Sequence, residues 1–232
     1  MIFMNIIFAM STLLVAFTLL IGVPGASAQT PPSDTQLAAY SGLHAAAWSG
    51  EVKQIQALIS AGGDPNVRDG AGRTPLHVAA FGSHDDAVRA LVKGGADPNA
   101  LEYDQYDIIT IAAVADDLDM VKLAIDLGGK PANITSRYVG TALIAAAHLG
   151  HDGVVKELIK AGAPLDHVNN LGWTALIEAV ILGDGGKRHV ETVRALVDAG
   201  ADGGIADRQG ATPLQHAVQR GYDEMIAILS KP

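Results

Sequence analysis

Apolar residues recur at positions i, i+3 and i+4 in several separate segments of the chain, with polar residues between them. The clearest examples are Ile55/Leu58/Ile59, Val88/Leu91/Val92, Val155/Leu158/Ile159 and Val193/Leu196/Val197. This spacing places the apolar side chains on one face of an α-helix. A shorter run of small apolar residues precedes such segments, as in 78–80. The pattern predicts pairs of helices, of which the first is short and the second amphipathic.

A six-residue block marks the start of each predicted pair. Its clearest copy reads Thr74-Pro75-Leu76-His77-Val78-Ala79, and its third position falls at residues 43, 76, 109, 143, 176 and 214. The steps between copies are therefore 33, 33, 34, 33 and 38 residues. Threonine followed by proline predicts a helix N-terminus, because threonine caps the first turn and proline fits the first helical position. Repetition at this period is typical of a stack of small units, each of which buries its apolar face against the next.

Glycines punctuate each unit. A left-handed helix stop favours glycine nine residues after the capping position. That position holds Gly50, Gly150, Gly183 and Gly221, while Ser83 and Asp116 replace glycine in the second and third units. The second helix ends in a glycine turn such as 62–66, and a polar stretch such as 69–73 then predicts a tight turn.

These features together resemble the ankyrin repeat, whose consensus carries G-x-T-P-L-H-x-A-A, then G-H, then V-x-x-L-L-x-x-G-A-D-x-N. The resemblance covers residues 37–232 and implies an all-α solenoid of about six helix-turn-helix-hairpin repeats. The expected repeats are approximately 38–66, 71–99, 104–132, 138–166, 171–204 and 209–232. The third repeat departs most, since Asp107-Ile108-Ile109-Thr110 replaces the capping tetrapeptide and Lys130-Pro131 replaces Ala-Asp.

Residues 1–28 differ from the repeats. The 18 residues from Ile6 to Val23 are almost wholly apolar, and Ala26-Ser27-Ala28 matches an A-x-A cleavage signal. We therefore expect a signal peptide that is cleaved after Ala28, followed by a disordered lead-in over 29–36. The alternative is an uncleaved membrane anchor, because this apolar length barely suffices to cross a bilayer. A basic n-region is missing, since the first lysine or arginine is Lys53.

Composition narrows the function further. The net charge is −9, and an acidic surface repels phosphate backbones, so we do not expect a nucleic-acid partner. The chain has no cysteine, which is consistent with an exported protein that forms no disulfides. The resemblance points to small exported bacterial ankyrin proteins, either periplasmic or secreted. The repeats fill most of the expected mature chain, and sequence motifs such as G-x-S-x-G and H-E-x-x-H do not occur. We expect a non-enzymatic monomer without cofactor or metal, and with no membrane contact after signal cleavage.

Histidines and one glycine-rich segment offer an alternative function. His148 and His151 are the best metal candidates among eight histidines, and the 183–189 segment carries Lys187 and Arg188 beside glycines. A small-molecule or metal-dependent activity around these residues is the alternative. However, zinc needs three or four convergent ligands, and the segment lacks the phosphate-loop spacing. The resemblance gives His44 and His77 a structural role, in which the ring bonds neighbouring loops.

Aromatic residues indicate where a partner binds. The polar segment ahead of the first helix in repeats three to five holds Tyr103, Tyr106, Tyr138 and Trp173. This is the hairpin tip, where the resemblance implies partner contacts, and tyrosine and tryptophan are enriched in binding hot spots. Arg73 and Arg137 lie in the same band and are expected to add rim contacts. We therefore predict a scaffold that binds a protein partner, for example as a companion to an exported enzyme. The alternative is that these rings only pack one tip against the next.

Overall fold

The computed structural model describes residues 29–231, in which thirteen α-helices follow one another along the chain. They are α1 (Asp34–Ala39), α2 (Gly42–Trp48), α3 (Val52–Ser60), α4 (Pro75–Phe81), α5 (Asp85–Lys93), α6 (Ile108–Val114), α7 (Leu118–Asp126), α8 (Ala142–Leu149), α9 (Asp152–Lys160), α10 (Ala175–Ile181), α11 (Lys187–Asp198), α12 (Pro213–Arg220) and α13 (Asp223–Leu229). The predicted all-α solenoid is confirmed. In the described part of the chain, no helix is long and apolar enough to span a bilayer.

From α2 onwards the helices form six pairs stacked in two layers. Each first helix packs against its own second helix and against the first helix of the next unit. Six alanines at one register of the repeat are almost fully buried between the units: Ala46, Ala79, Ala112, Ala146, Ala179 and Ala217. Their small side chains let neighbouring first helices approach closely, and leucine or isoleucine three residues earlier fills much of the space between the layers. The divergent third repeat keeps this packing through α6 and α7.

Helix N-termini form where the repeated block predicts them. Thr141, Thr174 and Thr212 each accept a hydrogen bond from the backbone amide three residues later, at 3.2–3.3 Å. Asp107 does the same for α6, since its carboxylate accepts from the Thr110 amide at 2.8 Å. Aspartate is as good a cap as threonine, and this explains why the third repeat tolerates the loss of its threonine.

The left-handed helix stops are confirmed at most predicted positions. Gly50, Gly150 and Gly221 have φ values of 67°, 66° and 68°, and Ser83 and Asp116 adopt 51° and 59° in the same slot. Backbone here lies in the region that only glycine enters without strain. The two substituted units therefore keep the turn at some energetic cost.

The fifth repeat differs from the prediction. Gly185, at φ 71°, rather than Gly183 takes the left-handed conformation there. In addition, α11 begins at Lys187 and has 12 residues, whereas α3, α5, α7 and α9 have nine each. The glycine-rich 183–189 segment is therefore partly helical. Its excess residues lengthen the second helix by about one turn, because the sequence from Lys187 onwards continues the amphipathic pattern of that helix.

The predicted disordered lead-in is also partly wrong. Residues 34–36 belong to α1, which Ser33 starts with a reciprocal cap: the Gln36 amide donates to Ser33 Oγ at 3.3 Å, and the Ser33 amide donates to Gln36 Oε1 at 2.9 Å. This is a capping box, a local signal that the composition of the segment concealed. The predicted signal peptide lies outside the described residues.

Candidate binding groove

Five hairpin loops project from the stack, formed by the segments 69–73, 102–106, 135–140, 169–173 and 207–211. In each loop the amide of the first residue donates to the carbonyl of the last, at 2.8–3.1 Å. Consecutive loops are also joined: the amides of Tyr103, Ser136 and Asn170 donate to the carbonyls of Ala71, Gln105 and Tyr138 at 2.8–3.1 Å. The first four loops therefore form a continuous backbone-bonded row, which gives their side chains fixed positions.

A pocket of about 400 Å³ lies between this row and the first helices of repeats three to five. Tyr106, Tyr138 and Trp173 all line it, together with apolar side chains of α6 and α8 and with Leu182 directly after α10. Three of the four aromatic residues singled out in the sequence thus meet at one place. This pocket, here called the groove pocket, lies within the volume range typical of ligand sites.

Glu178 supplies a buried carboxylate to the groove pocket. The residue is only 5% exposed, and its Oε1 accepts a hydrogen bond of 2.7 Å from the Asn169 amide. Its Oε2 lies 3.3 Å from His148 Nδ1. These three residues stand together in a site that is otherwise largely apolar. Burying a carboxylate is unfavourable unless it is paired and hydrogen-bonded. Glu178 is therefore the residue that gives the pocket its distinctive chemistry.

Glu178 and Asn169 were not among the predicted site residues, although the sequence carries a signal for them. The fifth position of the repeated block is apolar in the first four repeats, at Ala45, Val78, Ile111 and Ala145. A glutamate at an inward-facing position of a repeat needs a polar partner, and the loop asparagine of the same repeat provides one.

Electrostatics around Tyr106 are acidic. Burial raises the pKa of the Tyr106 hydroxyl, and the negative charges of Asp104 and Glu102 raise that pKa further. Arg137 lies beside them on the surface and forms an ion pair with Asp104 that raises the pKa of its guanidinium. Arg137 is exposed beside the groove pocket, and its role as a rim contact stays a prediction.

The remaining predicted contacts lie elsewhere. Tyr103 is 68% exposed and covers Gly72 of the preceding loop, outside the groove pocket. Tyr106 packs partly against the buried core, so it also has the packing role that was the alternative for these rings.

Arg73 is not an exposed rim residue. It is 5% exposed, and its guanidinium lies 3.4 Å from the Asp69 carboxylate and 3.2 Å from Gln36 Oε1. The Asp69 carboxylate also accepts from the Tyr40 hydroxyl at 2.7 Å, and burial followed by this bond raises the pKa of Tyr40 to about 12. Arg73 therefore connects α1 to the first hairpin loop. The prediction treated a polar segment as exposed and did not foresee that α1 covers it.

The N-terminal residues of the described range reach the groove pocket. Arg73 Nη2 donates to the carbonyl of Thr30 at 3.2 Å, and Gln29 lies among the residues that line the pocket. Gln29 is 9% exposed, and its Nε2 is buried without a hydrogen-bond partner. The chain thus places an unpaired amide in its own pocket.

Histidines join neighbouring repeats. At or near the start of the second helix of their repeats, His84, His151 and His189 donate to the carbonyls of Trp48, Ala113 and His148 at 2.7–3.0 Å. In the capping block, His44 and His77 donate to the carbonyls of Arg73 and Tyr106 at 2.9 and 3.1 Å. His167 donates to Val139, and His216 pairs with Asp207 at 2.8 Å. The structural role expected for His44 and His77 therefore extends to histidines for which the sequence named no partner.

The basic segment of the fifth repeat also serves the stack. Arg188 lies 2.6 Å from the Asp116 carboxylate of the third repeat and 3.8 Å from that of Asp152 in the fourth. Its charge is therefore engaged by two neighbouring units. Within residues 29–231, no three histidine, cysteine or acidic side chains are grouped as a metal site requires.

Comparison with known proteins places this geometry in a family. The family described as "Ankyrin repeats (3 copies)" matches residues 43–137, 109–203 and 143–232. An ankyrin repeat domain from Acinetobacter baumannii AYE is 41% identical with a TM-score of 0.77, covering 81% of this chain and 95% of that one. The ankyrin repeat protein EF0377 is 31% identical with a TM-score of 0.77, covering 83% and 98%. No curated protein gives a significant match.

A more distant likeness shows the fold alone. A chain in the complex of the Bd0816 predatory endopeptidase from Bdellovibrio bacteriovorus with the immunity protein Bd3460 is 23% identical, with a TM-score of 0.69, covering 82% of this chain and 97% of that one. The family match spans the six helix pairs, and the repeated caps, glycine stops and histidine bonds agree with it. The chain belongs to the ankyrin repeat family.

Proposed function

We propose that this protein is a scaffold that binds one protein partner in the groove pocket and along the hairpin loops beside it. Ankyrin repeats are generally protein–protein interaction modules without catalytic activity. The observation that carries the proposal is the convergence of Tyr106, Tyr138 and Trp173 on one pocket. Half-buried aromatic rings around a pocket are typical anchors of an interface.

The backbone-bonded row of loops supports the same proposal. Loops that are fixed before binding lose little conformational entropy when a partner docks, so more of the contact energy appears as affinity. Tyr103 and Arg137 extend the surface beyond the pocket, as an exposed ring and an exposed cation. The proposed interface therefore has a central aromatic pocket and a polar rim.

Export forms part of the proposal, with support from the sequence. The apolar segment before Ala26-Ser27-Ala28 and the absence of cysteine favour a periplasmic or secreted protein, in which the partner is an exported protein, for example an enzyme. Intact-mass measurement of the protein from a periplasmic extract tests this. A species that begins at Gln29 supports export with cleavage, and a full-length chain found only in the membrane pellet contradicts it.

A cross-linked pull-down from the exported fraction tests the scaffold itself. Wild-type chain should capture a defined protein, and Trp173→Ala should reduce that capture by about thirtyfold, as for a moderate hot spot. Val218→Ala, which trims an exposed apolar side chain on the last repeat, is the matched control and should bind like wild type. Equal loss in both variants, or none in either, would contradict a role for the pocket.

The second candidate is a small-molecule site in the same pocket, which its volume of about 400 Å³ favours. The metal-dependent form of this alternative has less support, because the His151 ring bonds the Ala113 carbonyl and His148 lies against Glu178. Metal analysis of the purified protein tests it: stoichiometric zinc that is lost in His151→Ala would favour the metal site over the scaffold.

A further inference from the structure

Glu178 places a buried carboxylate in the groove pocket without a permanently charged partner among the residues that line it. Among the described residues, no lysine or arginine lines the groove pocket, and the ion-pairing neighbour of Glu178 is His148, at 3.3 Å. The Asn169 amide supplies a neutral hydrogen bond and no charge. A carboxylate that is 5% exposed without a firm counterion is costly to the folded protein, and a cation bound beside it would offset that cost.

The rings that line the pocket favour the same kind of group. Tyr106, Tyr138 and Trp173 present aromatic surface, and a cation held against an aromatic face gains from the ring quadrupole, most of all when water is excluded. Carboxylate and aromatic rings in one pocket are complementary to a charged head on an apolar stem. An anion or a purely aliphatic group would bring no positive charge to Glu178.

We infer that the groove pocket is the anchor site for an arginine side chain of the protein partner. This inference rests on the proposed scaffold function and names the chemistry of its central contact. Arginine fits better than lysine because its planar guanidinium stacks on aromatic rings, donates several hydrogen bonds in one plane and is more weakly hydrated. The net charge of −9 also favours a partner with a basic surface.

Gln29 explains how the pocket accommodates such a group. Its side chain already places an N–H donor in the pocket, and that Nε2 has no hydrogen-bond partner. An arginine that displaces Gln29 therefore breaks no hydrogen bond of this amide, while it supplies donors to the Glu178 carboxylate.

Binding of N-acetyl-arginine methylamide to the full chain tests the inference directly. Trp48→Phe leaves Trp173 as the sole tryptophan, so that emission reports on the pocket. We expect saturable binding of the arginine probe, and roughly tenfold weaker binding of its citrulline counterpart, which is neutral and has the same shape. The lysine analogue should bind more weakly than arginine. Equal binding of the citrulline probe would overturn the inference, and equal binding of the lysine analogue would overturn the choice of arginine.

The variant Glu178→Gln provides a second test of the arginine inference. Glutamine keeps a carbonyl oxygen for the Asn169 bond, and we expect arginine affinity to fall roughly tenfold. Glu157→Gln is the matched control. It removes the same charge from α9, the second helix of the fourth repeat, and should bind like wild type. If Glu178→Gln unfolds, the comparison of arginine with citrulline on the wild-type pocket still decides.

Protein capture separates this inference from the proposed function. If Glu178→Gln captures the protein partner as wild type does, the arginine anchor is wrong and the scaffold stands. If the arginine probe binds through Glu178 but Trp173→Ala does not change protein capture, the cation site stands and the scaffold role of the pocket fails. Loss of both probe binding and protein capture in Glu178→Gln supports the two together.

Discussion

The Asn169 side-chain amide donates a 2.7 Å hydrogen bond to Glu178 and so ties the fourth hairpin loop to α10. The last repeat has the same connection with the roles exchanged, since His216 Nε2 lies 2.8 Å from the Asp207 carboxylate. Both pairs join the first residue of a loop to the fifth position of the block that follows it. This polar contact between loop and helix is therefore a repeated device, which the fifth repeat uses to hold a carboxylate in the groove pocket.

Exchanging one pair for the other tests this equivalence. Asn169→Asp keeps the loop, because its Oδ1 bonds to the amides of Leu171 and Trp173 are the bonds that Asp207 makes in its own loop. It also places a second carboxylate against Glu178, and we expect a loss of about 2 kcal/mol in the free energy of unfolding at pH 7. The double variant with Glu178→His should recover most of that loss.

The stability of Asn169→Asp relative to wild type should also change with pH in a defined direction. Two facing carboxylates raise the pKa of one of them in the folded state above its unfolded value, so the folded protein binds the shared proton more tightly. Stability of Asn169→Asp should therefore rise relative to wild type as the pH falls from 7 to 5. Urea unfolding at both pH values measures it. A double variant as unstable as the single one would show that the two pairs are not equivalent.

The features that could be predicted from the sequence are those that depend on neighbouring residues along the chain, such as helix caps and helix stops. Thr174 caps its helix through its side-chain oxygen, which accepts from the Ile177 amide within the same turn, and Ser83 is placed at a helix stop by its spacing alone, so both could be placed without a structure. The groove pocket depends on contacts between units: His148 and Glu178 are 30 positions apart and lie in adjacent repeats. Arg73 shows the same limit, since it is buried by contacts with α1 that no local pattern encodes.

His77 should make the stability of the protein depend on pH. Burial, as the main cause, lowers the pKa of its ring from 6.5 to about 4. Nδ1 accepts from the Thr74 amide at 3.1 Å, while Nε2 donates to the Tyr106 carbonyl, so the neutral ring is the form that fits. Because the folded pKa is the lower one, the unfolded chain binds the proton first, and stability falls as the pH drops from 6.5 to 4.

The expected loss from this residue is about 3 kcal/mol across that window. Urea unfolding between pH 7.5 and 4 measures it in wild type and in His77→Gln. The variant should be less stable at pH 7.5 but should show a smaller decrease on acidification. Parallel curves for the two proteins would show that His77 is not the group responsible.

Tyr106 and Trp173 should differ in their effect on folding, although both line the groove pocket. Tyr106 packs against the core, so we expect Tyr106→Ala to reduce the free energy of unfolding by about 2 kcal/mol. Trp173 is half-buried over the pocket, and Trp173→Ala should cost less than about 1 kcal/mol. Thermal unfolding of both variants checks this, and equal losses would show that Trp173 is a packing group as well.

Gln105 should be a position where glycine stabilises the protein. Its φ of 66° lies in the left-handed region, in the slot where Gly72, Gly172 and Gly210 stand in other loops at 78°, 87° and 80°. The left-handed conformation costs a non-glycine residue about 1–2 kcal/mol, and glycine also loses more entropy on folding. We expect Gln105→Gly to raise the free energy of unfolding by up to about 1 kcal/mol.

Gly210→Ala is the mirror-image control for this prediction. An added Cβ at Gly210 meets no neighbouring atom, so any loss in that variant reports backbone strain alone, and we expect about 1 kcal/mol. Asp116→Gly should not stabilise, although Asp116 has φ 59°, because the substitution also removes the carboxylate that Arg188 binds. Urea unfolding of the three variants ranks them. If Gln105→Gly is less stable than wild type, the strain assigned to this loop is absent and the side chain of Gln105 has a role of its own.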